Sequence, residues 1–401
     1  MQHSGWDAAA AAAVAAALSA ALTPVSARFA RRVGAVDQPR GRGLADRPTP
    51  LLGGLAIFAG VLVASLIWLP VDDARWQAIL AGAAVITLVG ALDDVFDLHW
   101  AVKLLGQATA ALLPVLKGVR VESFTLPFVH RVELGTDLGV VLTVLGLVLV
   151  MNTVNFSDGI DGLAAGVCAI AAASFSIIAF DLQRGSSAVL AAIIAGAALG
   201  FLVHNFPPAS SFMGDCGALL LGYLLGVVAV EGTVKTQAVL ALFLPLVVLA
   251  VPFLDTTFVV LKRLKYRRPV YAADANHFHH RFTRIGFSQR RTVLYLYAWT
   301  LLLGGSAVAL RFVPYSDNGG RLHAGWSIVM GLILLVVVAA SVYLVFVLEI
   351  LKFRRLNAVR LRRLRPDADQ HEIDADSQRR METGEFEAVR RETEEFGALG
   401  R

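Results

Sequence analysis

The sequence predicts an all-α, polytopic integral membrane protein of about eleven transmembrane helices. Three observations predict it. Hydrophobic residues make up 56% of the 401 positions and charged residues only 17%. The mean hydropathy is +0.64. The apolar residues fall in runs long enough to cross a bilayer rather than in the alternation of a soluble domain.

The candidate spans centre near residues 15, 60, 84, 109, 146, 171, 197, 224, 247, 302 and 337. The first is almost pure alanine. It has no basic segment before it and arginines after it, which reads as a retained span rather than a cleaved signal. Residues 1–350 form the expected transmembrane domain. Residues 351–401 are polar and mixed in charge, and read as a cytoplasmic tail.

Lysine and arginine set the expected orientation. The 28–47 loop carries Arg28, Arg31, Arg32, Arg40, Arg42 and Arg47, the 262–291 loop adds nine basic residues, and the tail opens with Lys352, Arg354 and Arg355. All fall on one face if the N-terminus is outside and the C-terminus cytoplasmic. The net charge of +5 therefore reflects topology and not a nucleic-acid partner. The two cysteines, Cys168 and Cys216, sit in an apolar span and beside an acid, so neither a disulfide nor a zinc pattern is expected.

Given that topology, five polar segments emerge on the cytoplasmic face. The first, Thr49-Pro50-Leu51-Leu52-Gly53-Gly54, opens a span, with proline suited to the first helical turn and glycines permitting close backbone approach. The second holds Asp93, Asp94 and Asp97, then Lys103. Asp93 and Asp97 are i and i+4 and share a helix face if the helix continues. Like charges so placed repel unless a cation or hydrogen-bond partner intervenes, and acids at a span end default to function.

The third segment runs from Asn152 through Asn155, Asp158 and Gly159 to Asp161 and Gly162. A loop cap needs one such residue, not four. The fourth contains His204, Asn205 and Asp215, the last placed to cap a re-entering helix. The fifth is the basic loop with Asp255, Arg263, Arg267, Arg268, Asp274, His277, His279, His280 and Arg281. Its histidines lack a suitable fourth zinc ligand and suit polyphosphate oxygens beside arginine. Carboxylates and amides for a hard cation, with basic residues for phosphate, imply phosphoryl transfer between a soluble donor and a lipid.

These segments resemble the polyprenyl-phosphate N-acetylhexosamine-1-phosphate transferases, glycosyltransferase family 4. The matching pieces are TPLLGG, DDVFD with its lysine, NFSDGIDGLAAG, NFPPASSFMGD and HFHH, in the family's order over residues of about 45 to 285. Asp97 and the spacing His277-Phe278-His279-His280 favour the WecA/TagO-like branch over MraY, the UDP-MurNAc-pentapeptide translocase. Ala218 departs from the hydroxyl residue that relatives often carry after Gly217.

The resemblance implies a magnesium-dependent enzyme, with Mn2+ as a substitute ion. It would move an N-acetylhexosamine 1-phosphate, foremost GlcNAc-1-phosphate, from a UDP-sugar to undecaprenyl or decaprenyl phosphate, releasing UMP. It implies a bacterial plasma-membrane enzyme with a cytoplasm-facing site, starting cell-envelope glycan synthesis, and points to a homodimer. By the same resemblance Asn155 and Asp215 are metal ligands. Asp93 or Asp94 deprotonates or orients the lipid phosphate, and Lys103, His279 and His280 steady the diphosphate. Asn152, Asp158, Gly159, Asp161, Asn205, His277 and Asp97 are expected around the donor.

Three rivals are weaker. A CDP-alcohol phosphatidyltransferase would need arginine where Gly166 stands. A cation-coupled transporter would place its acids near mid-span. A non-catalytic scaffold would have lost Asp94 or Asp215.

Overall fold

A computed structural model describes residues 3–38, 48–126, 129–234, 288–313 and 324–346. The helices, in chain order, are α1 (Gly5–Val33), α2 (Gly53–Trp68), α3 (Ala74–Phe96), α4 (Trp100–Leu116), α5 (Thr136–Ser157), α6 (Leu163–Asp181), α7 (Gly185–Asn205), α8 (Gly214–Val228, prolonged by a π-helical turn Ala229–Val234), α9 (Gln289–Phe312) and α10 (Ala324–Phe346). Each covers one expected span centre, and the span expected near residue 247 lies outside the described residues. Seven of these helices are long and apolar enough to cross a membrane, and α2 and α4 are shorter apolar helices. The chain is thus a helical, multi-pass membrane protein.

Two short antiparallel ribbons supplement the helices. β1 (Val36–Asp37) pairs with β2 (Thr49–Pro50), and β3 (Ser123–Leu126) with β4 (Val129–Glu133). Pro50 therefore lies in a ribbon and not in the first helical turn, which begins at Gly53 after Leu52 in a left-handed conformation.

α8 is the central element, packed by α2, α3, α5, α6 and α7. Every side chain from Cys216 to Val228 is buried. Its one phenol is satisfied: Tyr223 donates to the Ile79 carbonyl of α3 at 3.0 Å. By contrast α5 is two-faced. Thr143, Leu147, Met151 and Val154 point inward, while Leu138, Val141, Leu142, Leu145 and Leu149 are exposed. Such an apolar stripe at helical spacing, turned outward, suits hydrocarbon rather than water.

The alanine-rich α1 is explained by packing. Gly196 and Gly200 of α7 lie directly on the Ala12 and Ala16 backbone, where a β-carbon would collide. Hydrocarbon supplies no hydrophobic drive between helices, so small residues that let backbones meet provide the contact energy. His204 joins the same seam through the Ala20 carbonyl at 2.9 Å.

Alternating helix directions bring four polar segments to one end. α3 arrives at Asp93–Asp97 and α4 leaves past Lys103. α5 arrives at Asn155 and α6 leaves after Gly162. α7 arrives at Asn205 and α8 leaves after Asp215. α1 ends there too, where Leu51 donates to the Ala35 carbonyl at 3.0 Å. At the opposite end, Arg311 of α9 pairs with Asp181 of α6.

Candidate active site

The site is built on the N-terminus of α8. Gly214 opens the helix at φ +68, in the left-handed region, and a β-carbon there would strike the Asp94 carboxylate. Glycine is therefore required both by conformation and by space. Asp94, from the last turn of α3, accepts the Asp215 amide at 2.7 Å and the Cys216 amide at 3.1 Å. Asp215 was expected to cap this helix. Instead it stands inside the first turn, and Asp94 caps the helix from a neighbouring element. The reason is orphan chemistry: the first amides of a helix need acceptors, and a carboxylate there also meets the positive end of the helix dipole.

Freed from capping, the Asp215 carboxylate points into the cluster. It accepts from Asn155 Nδ2 at 2.7 Å and from the Lys103 ammonium. The same ammonium donates to Asp93 at 2.9 Å, and Asp93 also accepts the Leu98 amide at 3.0 Å. Lys103 thus ties α4 to acids from α3 and α8, while Asn155 adds α5.

Asp97 is exposed and lies just past the helix that carries the half-buried Asp93. α3 stops at Phe96, and Asp97 turns the chain in a left-handed conformation with φ 51, its amide donating to the Asp93 carbonyl at 2.9 Å. The i, i+4 relation fails because the helix ends between them.

The third and fourth segments interlock. Asn205 is buried; it accepts the Gly162 amide at 2.9 Å and donates to the Ser211 carbonyl at 3.0 Å. Asp161 accepts the Ala209 amide at 2.9 Å. Asn152 faces a buried glutamine of α4: its Nδ2 donates to Gln107 Oε1 at 2.6 Å. Asn152 and Asn205 therefore spend their amides on protein partners. Gly159 is exposed in the turn between Asp158 and Asp161.

Asp158 is the exception. Its amide donates to the Asn155 carbonyl at 3.2 Å, but its carboxyl has no hydrogen-bond partner among the described residues, and burial, then the charges of Asp94 and Asp161, push it up to about 8. Burial also raises the Asp161 carboxyl, against the lowering effect of the Ala209 amide.

Thr49-Pro50-Leu51-Leu52-Gly53-Gly54 frames this end from behind. Phe212 donates to the Pro50 carbonyl at 2.9 Å, and Gly53 and Gly54 donate to the carbonyls of Phe212 and Met213 at 3.0 and 2.9 Å. Gly54 abuts Gly217, and Gly90 of α3 abuts Cys216, with no room for a β-carbon at either. Gly90, Gln107 and Gly214 take their roles from contacts made across helices and not from any local pattern. A glycine or glutamine inside an apolar span was the available signal. Cys168 and Cys216 are both buried free thiols. His277, His279 and His280 lie outside the described residues, as do Asp255, Arg263 and Asp274.

Hard oxygen donors suit magnesium, which takes one or two carboxylates and completes its shell with substrate phosphate and water. Asp215 and Asn155 provide a carboxylate and, with the amide turned, a carbonyl oxygen; which way an amide points follows its partners. Among the described residues no group of three or more His, Cys, Asp or Glu side chains could hold a metal ion, so an ion here would rest on Asp215, Asn155 and substrate.

Fold and site together define a multi-helix membrane protein with an acidic, lysine-bridged centre at one end of its bundle. The chain belongs to glycosyl transferase family 4, whose family model matches residues 76–233. It is 38% identical over 291 residues to the "Probable undecaprenyl-phosphate N-acetylglucosaminyl 1-phosphate transferase" of Bacillus subtilis, covering 72% of this chain and 81% of that protein. It is 35% identical over 334 residues to the "Decaprenyl-phosphate N-acetylglucosaminephosphotransferase" of Mycobacterium leprae, covering 76% and 83%. A "Phospho-N-acetylmuramoyl-pentapeptide-transferase" of Moorella thermoacetica matches at 31% over 301 residues, covering 70% and 92%.

Proposed function

We propose that this protein transfers N-acetylglucosamine 1-phosphate from UDP-N-acetylglucosamine to a polyprenyl phosphate, giving polyprenyl-diphosphate N-acetylglucosamine and UMP. The observation that carries this most directly is Lys103, which bridges Asp93 and Asp215 beside Asn155. One cation holds acids from two other helices where anionic substrates and a divalent ion would meet. The relatives named for undecaprenyl- and decaprenyl-phosphate N-acetylglucosamine transfer support the lipid phosphate acceptor and the sugar phosphate that is moved.

A lipid phosphomonoester has a second pKa of about 6, so it is largely dianionic near neutrality. It needs little proton abstraction. Positioning and charge neutralisation dominate instead. A lipid phosphate oxygen attacks the phosphorus that bears the sugar. The bond from that phosphorus to the bridging oxygen breaks, and UMP leaves with that oxygen. Asp215 and Asn155 would hold magnesium, which supplies charge neutralisation at the diphosphate. Lys103 neutralises the same region, and Asp93 aims the lysine. Asp94 holds the start of α8, and with it Asp215, in place. Asp158 is available for the donor. His277, His279 and His280 would add to the diphosphate site.

The positive-inside pattern supports a cytoplasm-facing site, an outside N-terminus and about eleven spans in a bacterial plasma membrane. The arginine-bearing end of α1 lies at the acid end of the bundle.

The test offers UDP-GlcNAc, UDP-GalNAc and UDP-MurNAc-pentapeptide separately to purified protein with undecaprenyl phosphate and magnesium. Chelator-sensitive UMP release from UDP-GlcNAc is expected. Release from the pentapeptide donor alone would assign the protein to the translocase activity. No release from any donor by folded protein would remove the proposal.

A further inference from the structure

Helix α9 begins after residue 288 and lies wholly outside the 76–233 region that defines the family match. It nevertheless reaches the candidate site at two points. The Tyr297 hydroxyl donates to the Gly162 carbonyl. About two turns away, Arg290 Nε donates to the Pro207 carbonyl at 2.7 Å.

The surroundings of Tyr297 are shaped for it. Gly162 adopts φ +76, and a β-carbon at Gly166, one turn further along α6, would collide with the tyrosine ring. The two glycines therefore form a slot into which the phenol fits. Val293, Leu296 and Trp299 of α9 pack around it on Ile160 and Leu163, all buried. A buried phenol needs an acceptor wherever it sits; this one takes the Gly162 carbonyl, at the end of the Asp158–Asp161 turn.

From Gly162 the bonding continues. The Gly162 amide donates to Asn205, and Asn205 donates to the Ser211 carbonyl. The next two residues are held by the Pro50–Gly54 segment, and Gly214 and Asp215 follow directly. Asp161 closes the loop through the Ala209 amide. The acid turn and the segment leading to Asp215 are thus one hydrogen-bonded unit, gripped from outside by α9.

We propose that Tyr297 is a positioning residue, supported by Arg290, through which α9 sets the placement of Asp158 and Asp161 and, by way of Asn205, of Asp215. This rests on the transferase reading for its activity readout but not for its structural one. The expected pattern follows from geometry: misplacing reacting groups costs rate more than it costs binding.

The test is Tyr297→Phe, which removes one hydroxyl and keeps the ring, compared with Arg290→Gln and with Leu301→Ala on the exposed side of the same helix. UMP release, thermal stability and amide hydrogen exchange are measured on each full-length protein. Tyr297→Phe is expected to lower kcat about 10-fold, with the donor KM within about twofold and the melting temperature close to wild type. Exchange is expected to rise in residues 158–163 and 206–213 and nowhere else, with a weaker effect from Arg290→Gln and none from Leu301→Ala. Wild-type turnover and exchange in Tyr297→Phe would overturn the proposal. So would a loss of turnover accompanied by a general rise in exchange, which would mean that the hydroxyl only stabilises the bundle. If the wild-type protein releases no UMP, the transferase reading fails by itself, and the exchange pattern still decides whether α9 holds the two segments.

Discussion

Two groups of acids meet at one end of this bundle, and they are held in opposite ways. Asp93, Asp94 and Asp215 are fully engaged, by the Lys103 ammonium, by Asn155 and by backbone amides at the start of α8. Three residues after Asn155, the Asp158 carboxyl has no hydrogen-bond partner among the described residues and is pushed up to about 8. The bonded cluster has its geometry decided before any substrate arrives. The unbonded acid has hydrogen-bonding capacity left to give. On the proposed reading, the first kind would hold a divalent ion and the second would meet the donor.

The contrast can be broken most severely at Asp215. Asp215→Ala is expected to lower UMP release on the order of 10³-fold, while the protein still inserts and elutes as a single species. Near-normal turnover would remove Asp215 from the metal assignment. Lys103→Met is expected to cost about 10²-fold in turnover and also to lower the melting temperature, because it leaves Asp93 and Asp215 facing each other without their shared cation. Turnover that fell with no change in stability would show that the bridge is not a structural tie.

Asp94→Asn sharpens the comparison within the cluster. An asparagine can accept one of the two amides but presents an N–H to the other. The expected result is about a tenfold loss, some 1 kcal/mol of lost capping and a pH profile of unchanged shape. A profile that loses one limb would instead make Asp94 a proton acceptor.

Asp158→Asn acts through the pH dependence of stability rather than through a lost bond. The folded carboxyl titrates near 8, above its unfolded value, so the folded state binds the extra proton in between. Wild-type stability therefore falls as pH rises from about 4 towards 8. The asparagine variant has no such proton to lose. Its thermal stability should match wild type near pH 4 and exceed it increasingly towards pH 8, and equal curves throughout would show that Asp158 is not held in this environment.

Much of this architecture was legible in the sequence, for physical reasons. Apolar runs of bilayer length have few alternatives to helix, and ten of the expected span centres fall in described helices. Charged residues at span ends are costly enough to mark the site, and Asp93, Asp94, Lys103, Asn155 and Asp215 do come together. What was not legible is who bonds to whom. Asp94 and Asp215 are both acids at helix ends, and only the crossing of α3 over α8 makes one the cap of the other's helix. Asn152 and Asn205 look like ligands in sequence because buried amides and substrate-binding amides share a composition; their partners, Gln107 and Gly162, lie 45 and 43 positions away. Asp97 shares a helix face with Asp93 only if α3 continues, and α3 stops one residue short of it, at Phe96. The Gly162–Gly166 slot receives a tyrosine 135 residues downstream of Gly162, beyond any local pattern. The β3–β4 ribbon is short and sits between two strong helical signals that mask it.

The most direct test of the central claim is a Mn2+ titration followed by electron paramagnetic resonance, in the presence of UDP-GlcNAc, on wild type, Asp215→Ala and Asp158→Asn. If the bonded cluster holds the divalent ion, Mn2+ binding is lost or weakened at least tenfold in Asp215→Ala and retained in Asp158→Asn. Binding that survives loss of Asp215 and disappears with Asp158 would contradict the division of labour between the two groups of acids.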